Sequence, residues 1–175
     1  MTDQVDSADQ VESTDRVDSI EWCRRRWEDS KGQSPDLFAA MAAVLRLELL
    51  VGGTVDRLLR EHNLNRTAYL ILVTLHLKSD RTLTMGHLSK RLLLHPTTVS
   101  LVVDKLQARE LVIRSPHPTD RRTILATLTD GGASTLTAVS ESLSAVNYGF
   151  EGVDDRMAVT LTEVIRHVRQ DMGDA

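Results

Sequence analysis

Apolar side chains recur along most of this chain at alternating intervals of three and four residues. That spacing places them on one face of an α-helix. The pattern predicts a mainly helical fold with seven helices, at about 19–30, 35–62, 65–77, 84–92, 96–109, 129–146 and 154–171. Ser34-Pro35 is a typical helix start, because a capping hydroxyl precedes a proline at the first helical position.

The second helix is expected to supply much of the core. Its candidate buried residues are Leu37, Met41, Val44, Leu45, Leu49 and Val55. Gly52 and Gly53 lie within it, where we expect a bend or a close helix crossing and not a break. No apolar stretch is expected to approach the roughly 20 residues that a membrane span needs.

A different periodicity follows the fifth helix. Residues 112–114 and 120–128 alternate with a period of two and flank a Pro-containing turn at 115–119, which predicts a β-hairpin. In the second strand Ile124, Ala126 and Leu128 form the expected buried side. The same period places Asp120 and Arg122 on one face, where they are expected to pair, with Arg121 on the other.

Composition and charge narrow the class of protein. The 175 residues include one cysteine, Cys23, which excludes an internal disulfide or a multi-cysteine metal site. The acidic N-terminus lacks the apolar segment of a secretory signal, so we expect a cytoplasmic protein. The net charge is −4, but residues 1–21 carry seven acidic residues and one arginine, whereas residues 84–123 carry a net charge of +4. The acidity therefore belongs to a tail and the middle of the chain is basic.

Helices 84–92 and 96–109, separated by a tight turn, match the helix-turn-helix pattern, in which the second helix enters the DNA major groove. Short hydroxyls and an imidazole surround the start of that helix and are able to reach bases or phosphates. The candidate DNA-binding residues here are Thr84, His95, Pro96, Thr97, Thr98, Ser100, Leu101 and Lys105. The alternative is that Thr97 and Thr98 only cap the helix.

The hairpin adds a second DNA-binding element. An arginine at a hairpin tip beside a groove-reading helix is placed to enter the adjacent minor groove. Arg121 and Arg122 are the candidates, with His117 near the tip and Asp120 as a brace. Which arginine enters the groove stays open. The alternative is a solvated surface ion pair, which contributes little energy.

Three segments together resemble the multiple-antibiotic-resistance regulator (MarR) family: Pro96-Thr97-Thr98-Val99-Ser100-Leu101-Val102-Val103-Asp104-Lys105-Leu106, Leu111-Val112-Ile113-Arg114, and Asp120-Arg121-Arg122 followed by Leu128-Thr129-Asp130-Gly131. The resemblance covers roughly residues 35–172. It implies a winged helix-turn-helix repressor that dimerises through N- and C-terminal helices on a palindromic operator and is released by a small ligand. Glu110 departs from the family pattern, which has glycine there, and is expected to cost stability at the helix end.

The predicted organisation has four parts: a disordered acidic tail (1–18), N-terminal helices for dimerisation and a ligand pocket (19–62), a DNA-binding lobe (63–130) and C-terminal dimerisation helices (131–175). The apolar stripes of the terminal helices are expected to bury one face internally and another against a second subunit. The alternative is a monomeric layer of helices.

An effector pocket is expected near the N-terminal helix. Trp22 and Arg26 are four residues apart and Trp27 is adjacent, so an indole and a guanidinium can share one surface. That surface suits an aromatic acid or its acyl-coenzyme A thioester. Arg46 and Tyr69 are further candidates. The alternative is that both tryptophans only anchor the helix to the dimer.

Other functions were weighed against a ligand-responsive regulator. Cys23 lies beside three arginines that favour a thiolate, so a redox-sensing repressor is one alternative. A winged helix that binds another protein is a second. The scattered histidines form no nucleophile–base pair and no Gly-rich phosphate loop is present, so neither an enzyme nor a cofactor or metal site is expected.

Overall fold

The computed structural model describes residues 18–120 and 122–174. The described elements, in chain order, are α1 (Ser19–Asp29), α2 (Pro35–Glu61), α3 (Arg66–His76), β1 (Thr82–Thr84), α4 (Met85–Arg91), α5 (Pro96–Ala108), β2 (Val112–Pro116), β3 (Ile124–Leu128), α6 (Asp130–Ser144), a 3-10 turn (Asn147–Gly149) and α7 (Asp155–Asp171). They confirm a mainly helical fold with a small β element. The predicted disordered tail lies outside the described residues, apart from Asp18. The chain divides between Leu50 and Val51 into two compact units.

Most helices begin at a side-chain cap that the sequence contains. The side chains of Asp18, Asn65, Thr84, Thr129 and Asp154 each accept a hydrogen bond from a backbone N–H of the following turn. Such caps satisfy N–H groups that have no partner inside the helix. This local chemistry accounts for the close agreement between the predicted and observed helix starts.

The β element is a three-stranded antiparallel sheet of order β1-β3-β2. Strand β1 was not predicted, because three residues are too short to show an alternating pattern. It exists through pairing with β3, in which Leu83 lies opposite Ala126. The prediction that the second hairpin strand begins at Asp120 is wrong, since β3 begins at Ile124.

The core of the second unit joins the helix-turn-helix to the sheet. Leu59 of α2, Leu72 of α3, Leu88 of α4, Val99 of α5 and Val139 of α6 are fully buried. On β3, Ala126 and Leu128 are buried and Ile124 is half-buried, close to the predicted buried side. Helix α5 and the sheet therefore pack against the same hydrophobic core.

The core prediction for α2 is wrong over its first half. Leu37, Met41, Val44, Leu45 and Leu49 are all exposed, and only Val55 packs against the core. A helical stripe predicts which side chains share a face, but not whether the chain itself covers that face. The helix continues through Gly52 and Gly53 without a break, as expected, and a Cβ added at Gly53 would meet nothing within 4 Å.

Helix α2 also corrects the expectation about membranes. By length and composition it is long and apolar enough to cross one. The reason is that Arg46 and Glu48 are the only charged residues between Asp36 and Asp56. No other helix among residues 18–120 and 122–174 passes that test.

Glu110, where the sequence departs from the family pattern, lies at a left-handed helix end. Helix α5 ends with Glu110 at a φ of 57°, the left-handed conformation that glycine adopts at little cost. The N–H of Leu111 donates to the carbonyl oxygen of Leu106 at 3.0 Å, and that of Glu110 to Gln107 at 2.8 Å, which closes the helix end.

We expect Glu110→Gly to raise the free energy of unfolding by about 1 kcal/mol, because a left-handed backbone costs other residues roughly that much. Urea denaturation measures the change. Glu110→Ala is the matched control, since it removes the same side chain and keeps the unfavourable φ. An equal gain in both variants would assign the effect to the side chain and not to the backbone.

Candidate nucleic-acid interface

Helix α5 presents one face to the core and the other to solvent. Val99, Val103 and Leu106 are buried on the inner face. Most of the predicted DNA-binding residues of this element lie on the outer face and are exposed, namely His95, Pro96, Thr97, Thr98, Leu101 and Lys105, while Ser100 is half-buried. The core packing thus fixes which side chains are available to a groove.

The start of α5 is capped by a histidine. The Nδ1 atom of His95 accepts a hydrogen bond from the backbone N–H of Thr97 at 3.3 Å. Because Nδ1 is engaged in this way, the second ring nitrogen is the one available to another partner. In the preceding turn Leu93 has a φ of 52°, and the Ser89 hydroxyl donates to the carbonyl oxygen of Leu94 at 2.9 Å. These contacts set the angle between α4 and α5.

The wing is the hairpin of β2 and β3. Asp120 braces its tip, but not by the predicted pairing with the Arg122 side chain. Its carboxylate accepts hydrogen bonds from the Thr123 hydroxyl at 2.6 Å and from the backbone N–H of Arg122 at 3.0 Å. The parity argument failed because Asp120, Arg122 and Thr123 lie outside strand β3, which begins at Ile124. Arg121 lies outside the described residues. His117 is half-buried and its Nδ1 lies 3.2 Å from the Thr119 hydroxyl.

The same two hydrogen-bond donors favour the ionised form of the Asp120 carboxyl. The hydroxyl of Thr123 and then the backbone N–H of Arg122 lower the pKa of Asp120 below its usual range. Because the pKa of Asp120 is lower in the folded protein, its carboxylate stabilises the folded turn at pH values above the ordinary aspartate pKa of about 3.9. That stabilisation is lost as the pH falls through the pKa that Asp120 has in the folded protein. The brace is therefore fully formed at neutral pH.

We expect Asp120→Ala to bind DNA about fivefold more weakly than Asp120→Asn, since the amide oxygen still accepts the Arg122 N–H whereas alanine cannot. Both variants lose the same negative charge, so the comparison isolates the hydrogen bond from electrostatics. Fluorescence anisotropy with labelled duplex DNA measures both affinities. Equal affinities would show that the carboxylate does not organise the wing.

One surface cleft brings the predicted elements together. It has a volume of about 370 Å³ and is lined by Thr84 and Gly86 at the start of α4, Pro96 and Ser100 of α5, and Arg122 of the wing. Its remaining lining residues are Met85, Arg114, Thr123 and Ile124. Thr84 and Arg122, which are 38 positions apart in sequence, thus line the same cleft.

Arg114 was not among the predicted site residues. Its guanidinium donates to the carboxylate of Asp104, which ties β2 to the outer face of α5. The spacing of residues within one element does not predict this contact, because the contact joins a helix to a strand. Asp104 is the only acidic residue of α5, and its carboxylate is taken up by this ion pair. The pair links α5 to β2, the first strand of the wing.

The first unit contains the predicted tryptophan cluster. Trp27 stacks on Phe38 with ring centroids 4.5 Å apart, and its Nε1–H donates to the carbonyl oxygen of Gln33 at 2.9 Å. Trp27 is therefore anchored within the first unit, and anchoring of the helix to a dimer stays a prediction. Trp22 is exposed, and the Arg26 guanidinium lies 6.0 Å from its ring centroid.

The three arginines of α1 are not equivalent. Arg24 and Arg25 bind Glu21 at 2.9 and 2.7 Å, and these hydrogen bonds lower the pKa of Glu21 to about 2. Among the described residues, Arg26 has no carboxylate within ion-pair distance. Two of the three arginines beside Cys23 are therefore paired with a carboxylate.

A cleft of about 210 Å³ lies at this cluster. It is lined by Trp22, Cys23, Arg26, Trp27, Ser30 and Phe38. Arg46 is exposed on α2 and is not part of this lining. Tyr69 belongs to α3, where burial raises the pKa of its hydroxyl and Ser140 is its hydrogen-bond partner.

A helix-turn-helix packed on an antiparallel sheet, with a two-stranded wing beside the recognition helix, defines the winged helix-turn-helix class of DNA-binding domains. A model of the MarR family matches residues 62–123. The structure of Sco5413, a MarR family transcriptional regulator from Streptomyces coelicolor, is 30% identical and covers 79% of this chain and 96% of that one, with a TM-score of 0.71. This chain belongs to the MarR family.

Two further relatives support the assignment. Sco3205, a MarR family regulator of the same organism solved in complex with DNA, is 25% identical over 75% of this chain and 84% of that one, with a TM-score of 0.68. The HTH-type transcriptional regulator MhqR of Bacillus subtilis is 34% identical over 86 residues, which is 49% of this chain and 58% of that protein. The chain spans about half the length of the curated relatives it matches.

Proposed function

We propose that this protein is a cytoplasmic transcriptional repressor that binds a palindromic operator as a homodimer and is released by a small aromatic acid. The observation that carries the proposal is the shared cleft of Thr84, Pro96, Ser100 and Arg122, beside the exposed outer face of α5. Hydroxyls and a guanidinium at one surface are suited to phosphates and base edges. The net charge of +4 over residues 84–123 favours the same partner.

A gel-shift titration with the DNA upstream of the protein's own gene tests this function. We expect one sequence to be bound in the presence of a large excess of unrelated duplex, with an affinity that falls as salt rises. Equal binding to every sequence would contradict a regulator. Binding to no DNA would favour the alternative of a winged-helix module for protein partners.

The homodimer rests on two apolar stripes that the single chain leaves exposed. The first is formed by Leu37, Met41, Val44, Leu45 and Leu49 of α2, and the second by Met157, Val164, Ile165 and Val168 of α7 with Met172 directly after it. Contiguous exposed apolar surface of this kind marks an association site. We propose that a second copy of the chain covers both stripes.

Sedimentation equilibrium tests the dimer directly. We expect a species of twice the 19.5 kDa chain mass at micromolar concentration. A monomer that still binds one operator sequence would contradict the dimer without affecting DNA recognition.

The cleft at α1 supports the effector proposal. Trp22 offers an exposed indole, and Arg26 a guanidinium without a described ion-pair partner. An aromatic carboxylate is complementary to both groups. The volume of about 210 Å³ matches a single substituted ring, whereas most of a coenzyme A thioester would lie outside the cleft. We therefore favour the free acid.

Release of a bound operator fragment by benzoate and by benzoyl-coenzyme A separates the two ligands. We expect the acid alone to release DNA from the wild-type protein, and Arg26→Met to abolish that response while DNA binding persists. Arg25→Met is the matched control, since Arg25 is paired with Glu21. Release by the thioester alone would contradict this cleft as the effector site.

A further inference from the structure

The first two turns of α5 lack the side chains that most often read guanine or adenine. Residues 96–103, its first two turns, contain no Arg, Lys, Asn, Gln, Asp or Glu. Arginine and lysine read guanine through bidentate hydrogen bonds, and asparagine and glutamine read adenine in the same way. Base recognition by these two turns is therefore limited to single hydroxyl hydrogen bonds and apolar contacts.

Leu101 stands in the middle of the outer face of α5. Its side chain is 58% exposed, on the helix face opposite the buried Val99 and Val103. Thr97 and Thr98 lie one turn before it and Lys105 one turn after it, and all three are exposed. In a helix-turn-helix the N-terminal residues of the second helix contact base edges, and Leu101 lies in the second turn of α5.

Two of the polar side chains around Leu101, Asp104 and His95, are engaged in other contacts. Asp104 is paired with Arg114 of β2, so its carboxylate is held by the wing. The Nδ1 atom of His95 holds the helix cap, which leaves that ring one nitrogen for a single hydrogen bond. Lys105 carries a point charge on a long flexible chain, which suits a phosphate.

We propose that Leu101 is a specificity-determining residue that contacts the C5 methyl group of a thymine in each half-site. The thymine methyl is the apolar group that a base pair displays in the major groove, and an exposed leucine gains by being buried against it. This inference rests on the proposed function, because it assumes that α5 enters the major groove. The inference adds to that function the identity of the base that the second turn of α5 contacts.

The test replaces thymine with deoxyuridine, which removes the methyl group and leaves every hydrogen-bonding edge unchanged. An operator is first selected from a random duplex pool with the full-length protein at constant salt. Each thymine of the two half-sites is then replaced symmetrically, one position at a time. We expect one position at which the wild-type affinity falls about fivefold.

Leu101→Ala tests whether that loss belongs to this side chain. The variant should bind the thymine operator about fivefold more weakly and lose nothing further at the sensitive deoxyuridine position. Leu77→Ala is the matched control, because Leu77 is 77% exposed but lies outside the helix-turn-helix, at the end of α3. It should retain the wild-type affinity and the wild-type deoxyuridine loss. Leu101 is exposed, so thermal unfolding should be unchanged in both variants.

The outcomes separate this inference from the function on which it rests. An operator that tolerates deoxyuridine at every position overturns the thymine contact and leaves DNA recognition intact. The same holds if Leu101→Ala keeps the full deoxyuridine loss. Failure to enrich any sequence from the pool overturns the proposed function, and the thymine contact with it.

Discussion

Gly132→Ala is expected to lower the free energy of unfolding by about 3 kcal/mol, the upper end of the usual cost of inserting a carbon into a packed site. Gly132 is buried in the first turn of α6. A Cβ there would overlap the carbonyl oxygen of Leu111 and lie 2.7 Å from Cδ1 of Leu128. A backbone carbonyl is unable to move aside without breaking the contact that holds α6 against the end of α5.

The neighbouring glycine provides the control. A Cβ added at Gly131 would lie 3.6 Å from the Thr129 hydroxyl and 3.8 Å from the carbonyl oxygen of Glu110, which are ordinary contacts. Gly131→Ala should therefore be neutral or stabilise the protein by up to about 1 kcal/mol, because alanine loses less entropy in a helix. Urea denaturation of both variants measures the difference. Similar stabilities would contradict the close packing of Gly132.

Removing both wing arginines should give the largest loss of DNA affinity. We expect Arg121→Ala combined with Arg122→Ala to weaken operator binding about 100-fold and to reduce the slope of log K against log salt by about 2, since each arginine displaces roughly one counterion from DNA. Arg122 lines the cleft shared with Thr84, Pro96 and Ser100. Anisotropy titrations at several salt concentrations measure both quantities.

The control removes two positive charges from another part of the chain. Arg57 pairs with Glu61 at 3.4 Å on the last turns of α2, and Arg60 is exposed beside it. The combined Arg57→Ala and Arg60→Ala variant should retain most of the affinity and the salt slope. If it loses as much as the wing variant, the effect is one of net charge and not of the wing. Sedimentation should show the same association state for all three proteins.

Helix positions were predictable because their signals are local. Thr84, Asn65, Thr129 and Asp154 cap helices at the places where the sequence has a capping side chain before an apolar periodicity. The residue pattern also indicated the helix-turn-helix and the DNA-binding hairpin. Family resemblance supplied the expectation at Glu110, because the family has glycine at that helix end, and the residue has a left-handed backbone there.

Contacts between elements were not predictable from periodicity. The pairing of β1 with β3, the Arg114–Asp104 ion pair and the exposure of Leu45 all depend on how separate elements meet. A period of two also failed at Asp120, because a turn hydrogen bond from Arg122 replaced the strand that the pattern indicated. Apolar spacing reports a face and carries no information about what covers it.

The sequence alone determined the order and the ends of the helices, the basic middle of the chain and the outward-facing residues of α5, because each depends on neighbours within a few positions. Only the tertiary structure decided that Asp120 braces the wing through Thr123 and the backbone of Arg122, that Trp27 is anchored on Phe38, and that Gly132 admits no side chain. These features arise where segments distant in sequence or bent by a turn come within contact distance, and the physical cause lies in packing and hydrogen bonding between them.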